Sequence, residues 1–163
     1  MKKILYTFCL LSFSGYALAF SSTTPPQDDL PEEEVMKVID QLFDGMRAGD
    51  SAMVHATFDE SVRMLTIGSR NGQPVMREGS LERFLTAVGT PHDAIWDEKI
   101  WDEEVKIDRN MATVWVKYAF FLGTEFSHCG VNSFQLFKGT DGWKIINLSD
   151  TRSKTNCEMP PDK

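Results

Sequence analysis

The chain of 163 residues is poor in the groups that build most metal and nucleic-acid sites. It contains three cysteines and three histidines, and none of them stands at a zinc-binding spacing. Lys and Arg form no cluster along the sequence, although binding to a phosphate backbone or an anionic membrane depends on one. A glycine-rich phosphate loop and a Ser-His-Asp arrangement are also missing. We therefore expect no metal, no cofactor and no nucleic-acid partner.

Long apolar runs are equally scarce, and the one at the N-terminus is too short to span a membrane. Residues 4–13 are largely apolar, whereas a transmembrane helix needs about 20 such residues. They follow the positive start Met1-Lys2-Lys3 and precede Ala17-Leu18-Ala19, a small-residue cleavage signal. The pattern predicts a secretory signal peptide over residues 1–19, cut after Ala19, with no membrane insertion afterwards. The expected location is therefore secreted or periplasmic.

The chain that remains after cleavage is strongly acidic. Loss of Lys2 and Lys3 leaves 15 of the 17 basic residues against 24 acidic ones, a formal net charge of −9. Residues 20–30 are polar and contain two prolines, so we expect a disordered leader there. One folded domain over residues 31–157 and a C-terminal tail over residues 158–163 complete the predicted organisation.

Three helices are predicted in the first part of the domain. The first begins at Pro31, carries acidic residues in its first turn and ends at Gly49, with apolar residues at helical spacing between. Asp50 can cap a short second helix, and Ser80 can cap a third. The first and third helices each have one apolar face, which must pack against the rest of the domain.

Strands dominate the remainder of the chain. Residues 62–67 and 74–77 are predicted strands around an Asn-Gly turn, and Pro74 places the second at a sheet edge. Residues 95–107 alternate in their second half, and three long strands follow over residues 111–152. Helices and strands are therefore segregated, which predicts an α+β fold. A bent sheet with helices gathered on one side forms a cone with a hollow end.

Two cysteines remain after the signal peptide and can form a disulfide. If the last hairpin closes at Gly139 and Gly142, Cys129 faces about Arg152, and Cys157 follows five residues later. The polar coil between them allows the tail to curl back, and an oxidising compartment favours the bond. We expect the pair Cys129–Cys157, with two unpaired thiols as the alternative.

Three segments carry a resemblance to a known superfamily: FDGMRAGDSAMVHATFDESVRM, REGSLERFL and FQLFKGTDGWKIINLSDTR. Together they run through nearly all of residues 32–152. The chain resembles the nuclear transport factor 2-like superfamily, which includes SnoaL-like, ketosteroid isomerase-like and scytalone dehydratase-like proteins. The resemblance implies a cone with a curved, mixed or antiparallel sheet and three helices on its concave side. It does not fix the function, because the superfamily includes enzymes, small-ligand binders and proteins without chemistry.

The resemblance does not extend to isomerase chemistry. Ketosteroid isomerase-like enzymes need a carboxylate base at the start of the first strand, where this chain has Leu65 or Thr66. They also need a tyrosine deeper in the cone, and the first helix here contains none. His55 and His128 align with no group of the dehydratase-like members. We therefore expect no site of the ketosteroid isomerase type.

The hollow end would be lined by one face of the first long strand. Val116, Tyr118 and Phe120 share that face, and the Tyr118 hydroxyl is a hydrogen-bond donor in apolar surroundings. A core tyrosine bonded to a backbone carbonyl is the alternative. Trp101 is a further candidate, because alternation places it on one face of the preceding strand with Val105.

Charged candidates for the ligand site lie on other strands. Asp150 and Arg152 share a face of the final strand and are either groups at the mouth of the pocket or a rim ion pair. Arg63 and Arg77 lie on the two early strands and could meet an anionic ligand, although solvated edge arginines are the alternative.

The opposite face of the first long strand is too apolar to be left in water. It carries Trp115, Ala119 and Phe121, and large exposed apolar patches mark interfaces. We expect a homodimer through this face, as the resemblance also implies. Coverage by the protein's own tail is the alternative.

The functional hypothesis is a secreted, non-catalytic protein that binds a small, largely apolar ligand in a conical pocket. The first alternative is an enzyme of lyase, isomerase or hydrolase type, in which Tyr118 acts with a His or Asp of the same pocket. The second alternative is an accessory or assembly subunit whose cone is filled by its own side chains.

Overall fold

The computed structural model describes residues 31–161, which form three helices and six strands. In chain order these elements are α1 (Pro31–Ala48), α2 (Ser51–His55), β1 (Phe58–Arg70), β2 (Gln73–Glu78), α3 (Leu81–Gly89), β3 (Trp96–Asp108), β4 (Met111–Leu122), β5 (Glu125–Gly139) and β6 (Gly142–Thr151). The predicted signal peptide and leader lie outside the described residues, as does the end of the predicted tail. Within residues 31–161, no helix is long and apolar enough to cross a bilayer.

The predicted helix caps are found in the structure. Gly49 adopts φ 68° directly after α1, a conformation that ends a helix and that glycine adopts without strain. The Asp50 carboxylate accepts hydrogen bonds from the first backbone amides of α2, and the Ser80 hydroxyl accepts one from the amide of Arg83. These caps satisfy amides that have no partner within the helix, and they fix where α2 and α3 begin.

The six strands form one open, mixed sheet in the order β2-β1-β6-β5-β4-β3. The β1–β6 pair is parallel and every other neighbouring pair is antiparallel. The strand β2, which contains Pro74, lies at one edge, as predicted. The predicted α+β cone with a mixed sheet is confirmed.

The β5–β6 hairpin closes where the sequence predicted. Gly139 faces Gly142, which has φ 94°, and Lys138 faces Trp143. Further along, a register shift at Gln135–Leu136 moves the pairing by one position. Cys129 therefore faces Ser153 instead of Arg152.

A bulge in β3 contradicts the predicted alternation of that strand. Trp101 pairs with Lys117, whereas Val105 pairs with Val114, so Trp101 and Val105 lie on opposite faces. The bulge is centred near Asp102, which has φ 56°. Because an extra residue reverses the alternation, the prediction that Trp101 shares a face with Val105 was wrong.

The hydrophobic core lies between the helices and one face of the sheet, which we call the inner face. From the helices it receives Val35, Ile39, Leu42 and Phe43 of α1 together with Val54 of α2 and Val88 of α3. From the sheet it receives Ala112, Val114, Val116, Phe134, Leu136 and Ile145. The core fills one end of the inner face and leaves the other end to polar side chains.

The C-terminal segment crosses the opposite, outer face of the sheet. It is tied to β5 by the predicted disulfide Cys129–Cys157, with a Cα–Cα distance of 5.8 Å. It then reaches β4, where Glu158 accepts a hydrogen bond of 2.9 Å from Lys117. Ala119 is fully buried. Part of the outer face is therefore covered by the protein's own tail, while Trp115 remains 51% exposed.

Candidate functional site

A cavity of about 340 Å³ lies between the helices and the polar end of the inner face. Its apolar wall comes from helices α1 and α3 and strands β1 and β6, and consists of Leu42, Phe43, Met46, Met64, Leu65, Phe84 and Leu148. Its polar side is formed by Thr66, Ser80, Arg83, Glu98, Tyr118, Asn132, Asp150 and Arg152. The volume is at the lower end of the range for small-molecule sites.

Adjacent strands each place a polar side chain at this end of the inner face. Thr66 lies on β1, Asp150 on β6, Asn132 on β5, Tyr118 on β4 and Glu98 on β3. The pairings Thr66 with Asp150 and Asp150 with Asn132 align three of them across the sheet. We refer to these five residues as the polar row.

Glu98 is the polar-row residue whose pKa lies close to neutral pH. Asn132 Nδ2 donates a hydrogen bond of 2.7 Å to Glu98 Oε1. Burial of the carboxyl raises the pKa of Glu98 to about 7, against the lowering effect of the Asn132 hydrogen bond. Asp150 raises this pKa further and Arg152 lowers it. The carboxyl can therefore gain or lose a proton near neutral pH.

Asp150 is the centre of a hydrogen-bond network and is 8% exposed. Thr66 Oγ1 donates to its Oδ1 at 2.7 Å, and Arg152 Nε donates to its Oδ2 at 2.6 Å. The Tyr118 hydroxyl lies 3.5 Å from the same Oδ2. These contacts satisfy a carboxylate that would otherwise be costly to bury, and they orient Arg152 at the mouth of the cavity.

The Tyr118 hydroxyl donates its hydrogen to a backbone carbonyl. Its oxygen lies 2.8 Å from the carbonyl oxygen of Thr151. A hydroxyl has one hydrogen, so toward a ligand Tyr118 is available chiefly as an acceptor. Burial raises the pKa of Tyr118, which keeps the phenol protonated. The bond to a backbone carbonyl matches the alternative that the sequence left open, a core tyrosine. Tyr118 nevertheless also lines the cavity.

Gly130 makes this contact with Thr151 possible. A Cβ built on Gly130 would lie 1.9 Å from the carbonyl oxygen of Thr151, well inside van der Waals contact. The β5 and β6 backbones can approach only because position 130 has no side chain. Tyr118, which pairs with Gly130 across β4 and β5, then reaches the same carbonyl.

The two histidines considered from the sequence occupy different places. His55 is exposed on α2. His128 lies beside the polar row, with its ring edge-on to Tyr118 at 5.7 Å and tilted on Phe120 at 5.1 Å. Burial lowers the pKa of His128, and the positive charge of Arg152 lowers it further. The neutral ring is therefore favoured.

Of the predicted ligand-site residues, the structure brings Tyr118, Asp150 and Arg152 together in the cavity lining. Val116 lies in the core instead, and Phe120 packs edge-on to Trp96 at 6.0 Å. Neither is part of the cavity lining.

The other two predicted ligand-site residues lie elsewhere. Arg63 forms an exposed ion pair of 3.0 Å with Glu78 on the neighbouring strand β2. At the bulge, Trp101 points to the outer face of the sheet, where it lines a separate cavity with Pro160 and Pro161 of the C-terminal segment. The structure therefore does not bring Trp101 and Arg63 into the cavity lining. The bulge turns Trp101 to the outer face, and Arg63 is paired with Glu78 outside the cavity.

Glu98, Asn132 and Thr66 were not predicted as site residues. Glu98 and Ile100 precede the bulge and face inward, since Ile100 pairs with Tyr118. Unbroken alternation counted back from Val105 would place Glu98 on the outer face, so the sequence pattern did not identify Glu98 as a cavity residue. Thr66 does line the cavity, at the position where the resemblance places a carboxylate base. The ionisable carboxyl of this cavity lies on β3 instead.

Among residues 31–161, no group of three or more His, Cys, Asp or Glu side chains is arranged to hold a metal ion. The cavity contains Glu98 and Asp150, and Arg152 already occupies one oxygen of Asp150. The arrangement is suited to hydrogen bonding and proton exchange with a small molecule.

Several solved structures that are similar to this chain are nuclear transport factor 2-like proteins. An NTF-2 like protein of unknown function from Shewanella oneidensis shares 17% identity, covering 75% of this chain and 99% of its own, with a TM-score of 0.59. An NTF2-like protein from Cytophaga hutchinsonii shares 12% identity over 77% of this chain and 100% of its own, with a TM-score of 0.61.

A third structure, an NTF2-like protein with a cystatin-like fold from Novosphingobium aromaticivorans, shares 11% identity over 77% of this chain and 83% of its own, with a TM-score of 0.61. No family model and no curated protein matches the sequence. The protein therefore has the nuclear transport factor 2-like, cystatin-like fold. At these identities the likeness shows the fold alone.

Proposed function

We propose that the protein is an exported small-molecule binder whose ligand has an apolar body and a polar end. The observation that carries the proposal is the division of one cavity into an apolar wall and the polar row. Such sites use apolar area for affinity and a few fixed polar groups for orientation. A ligand that enters with its apolar part against Phe84 and Leu148 meets Glu98 and Asp150 with its polar part.

Glu98 gives this site a pH-dependent polarity. Below its pKa of about 7 the carboxyl is neutral and can donate a hydrogen bond to a carbonyl or carboxylate oxygen. Asn132 already donates to one of its oxygens, which leaves the other for the ligand. The proposed ligand therefore carries at least one acceptor oxygen near its polar end.

Native mass spectrometry with a panel of small amphiphiles tests this function. We expect retained or added mass for the wild-type protein and for Ile67→Trp, which lies on β1 at an exposed position outside the cavity lining. Met64→Trp fills the cavity, because Met64 lines it and pairs with Leu148 on the inner face. This variant is expected to lose binding while it keeps a cooperative unfolding transition. If the folded wild-type protein binds no member of the panel, or if both variants bind equally, the proposal is wrong.

Export and dimerisation are parts of the same proposal. The disulfide Cys129–Cys157 supports an oxidising compartment, and N-terminal sequencing of protein recovered from the medium or periplasm should begin at Phe20.

On the outer face Trp115, Met111 and Phe137 are exposed beyond the tail, which supports a homodimer there.

Sedimentation velocity tests the homodimer. Trp115→Glu is expected to yield monomers, whereas Ile95→Glu, an exposed control on the β3 side of the α3–β3 connection, is expected to leave the dimer intact. A wild-type protein that sediments as a monomer at high concentration contradicts this part of the proposal.

An enzyme of lyase, isomerase or hydrolase type is the second candidate, and Glu98 is the observation that favours it. A carboxyl with a pKa of about 7 in a cavity is suited to general acid–base catalysis. Turnover of any bound ligand that Glu98→Gln abolishes without loss of binding would establish this candidate. A filled accessory subunit is not favoured, because the cavity of about 340 Å³ remains open between the helices and the sheet.

A further inference from the structure

A second, larger groove of about 710 Å³ adjoins the mouth of the first cavity. Its charged or titratable lining consists of Arg70, Arg77, His128, Arg152 and Lys154. No Asp or Glu is among its lining residues, although the whole chain has a formal net charge of −7. We call this feature the basic groove.

The fold assembles the basic groove from segments that are distant in sequence. The parallel β1–β6 pairing continues past the end of β6, where the Arg152 amide donates a hydrogen bond of 3.1 Å to the carbonyl of Ile67. Residues 152–154 therefore lie beside the end of β1, and β2 adds Arg77 from the sheet edge. The sequence shows no Lys/Arg cluster because these side chains meet only in the folded chain.

Of the four cations that line the groove, only Arg152 forms an ion pair with a carboxylate within residues 31–161, and its partner is Asp150. Within residues 31–161, none of Arg70, Arg77 and Lys154 forms an ion pair with a carboxylate, whereas Arg63 on the same pair of strands does, with Glu78. Four cations with one carboxylate partner among them leave an excess of positive charge, which favours an anionic partner. The groove also shares part of its wall with the cavity, which bears on the kind of anion that it could bind.

Arg152 and Thr66 line both the cavity and the basic groove. Arg152 donates through Nε to Asp150, and its side chain is still 51% exposed. A guanidinium has five N–H donors in a planar fork, so one bond to Asp150 leaves others directed toward the groove side. A single small molecule can therefore occupy the cavity and reach the groove past Arg152.

We propose that the basic groove binds a carboxylate or phosphate group, and that this group is the anionic head of the ligand whose apolar part occupies the cavity. The inference rests on the proposed function and narrows its ligand class to anionic amphiphiles. Arg77 and Arg70 supply hydrogen bonds and charge from the β1–β2 side, and Arg152 and Lys154 supply them from the other side.

His128 provides a local readout of the groove, because it lines the groove and its imidazole responds to nearby charge. Burial lowers its pKa most, followed by the positive charge of Arg152, and Lys154 lowers it as well, whereas Asp150 raises it. The neighbouring Tyr118 is a protonated phenol and contributes no charge. An anion bound between Arg152 and Lys154 stabilises the imidazolium, so it raises the pKa of His128.

The first experiment follows the ring protons of the three histidines by NMR over a pH titration. With inorganic phosphate or acetate we expect the pKa of His128 to rise by roughly 0.5 to 1. His55 and His92 lie outside the groove and serve as internal controls. An equal response of all three histidines, or none at His128, contradicts anion binding in the groove.

The second experiment compares decanoate with the uncharged decanol by isothermal titration calorimetry. We expect decanoate to bind about tenfold more tightly, and Arg70→Ala with Arg77→Ala to remove most of that difference. Arg63→Ala is the matched control, because this arginine lies on β1 outside the groove. Circular dichroism confirms that each variant is folded.

The two experiments separate failure of this inference from failure of the proposed function. Equal affinity for decanol and decanoate, with binding of both lost in Met64→Trp, retains the cavity function and overturns the anionic head group. If neither compound binds but phosphate still raises the pKa of His128, the groove binds anions without sharing a ligand with the cavity. This inference is then wrong, and the proposed cavity function fails for these amphiphiles as well. Tighter binding of decanoate that the groove variants remove supports the inference.

Discussion

Asn132 on β5 donates a hydrogen bond of 2.7 Å to the carboxyl of Glu98 on β3, across the intervening strand β4. The bond stabilises the ionised carboxyl, yet the cost of removing the charge from water is larger, and the pKa of Glu98 rises to about 7. The pair therefore holds a protonatable group at a fixed place in the polar row. Its ionisation should affect stability as well as binding.

Stability should fall as pH rises because of Glu98. In the unfolded chain this carboxyl loses its proton near 4.5, whereas the folded protein retains it up to about pH 7. Between these values the folded state binds more protons, so the free energy of unfolding decreases with rising pH, by up to about 3 kcal/mol in total. Glu98→Gln cannot ionise, and we expect it to be more stable than the wild type at pH 8 and equal to it near pH 4.

Urea denaturation over this pH range measures the effect. Glu104→Gln is the control, since Glu104 lies on the same strand but is exposed on the outer face. A constant difference between wild type and Glu98→Gln at all pH values would show that Glu98 titrates normally.

Local patterns were sufficient to predict most of the fold. Asp50 and Ser80 mark helix starts through the hydrogen bonds that their own side chains make. Gly139 and Gly142 close a hairpin whose geometry depends on adjacent residues only. The disulfide partner Cys157 followed from that hairpin, although a register shift moved the residue opposite Cys129 by one position.

The candidate site was only partly predictable, because it depends on non-local geometry. Asp150 and Arg152 were identified from alternation with Leu148, which holds because all three residues follow the register shift in β6. Glu98 was not, because the bulge near Asp102 reverses the face of every residue before it. The basic groove depends on the parallel pairing of β1 with β6, for which the sequence of either strand carries no signal.

Tyr118→Phe separates a structural from a catalytic role of the phenol. The variant removes the hydrogen bond to the Thr151 carbonyl, and we expect a loss of about 1 kcal/mol in the free energy of unfolding. Affinity for an amphiphile should change by no more than about twofold, because the hydrogen is already donated to the backbone. Chemical denaturation and calorimetry measure the two quantities. A large loss of affinity or of turnover, with stability unchanged, would assign Tyr118 to the ligand instead.

Gly130→Ala should be among the most damaging small substitutions in the sheet. The added methyl would overlap the Thr151 carbonyl oxygen, so β6 must move away from β5, at a cost of about 3 kcal/mol or more. Gly68→Ala is the matched control, because its Cβ would lie 3.8 Å from the carbonyl oxygen of Arg152, an ordinary contact. Thermal and urea denaturation of both variants test the prediction. Equal stability of the two would mean that β5 and β6 are not in close contact at position 130.

Cys157→Ser should release the C-terminal segment from the outer face. The bond closes a loop with a sequence separation of 28 residues, and loss of a loop of that length reduces the free energy of unfolding by about 3 to 4 kcal/mol. Glu158→Gln is the control for the ion pair with Lys117, which is exposed to solvent and is expected to contribute little to stability. Release should also expose Trp101, which is 7% exposed under the segment, and shift tryptophan fluorescence to longer wavelength. If reduced wild type and Cys157→Ser both unfold at the midpoint of the oxidised protein, the segment is held by its other contacts and the disulfide contributes little.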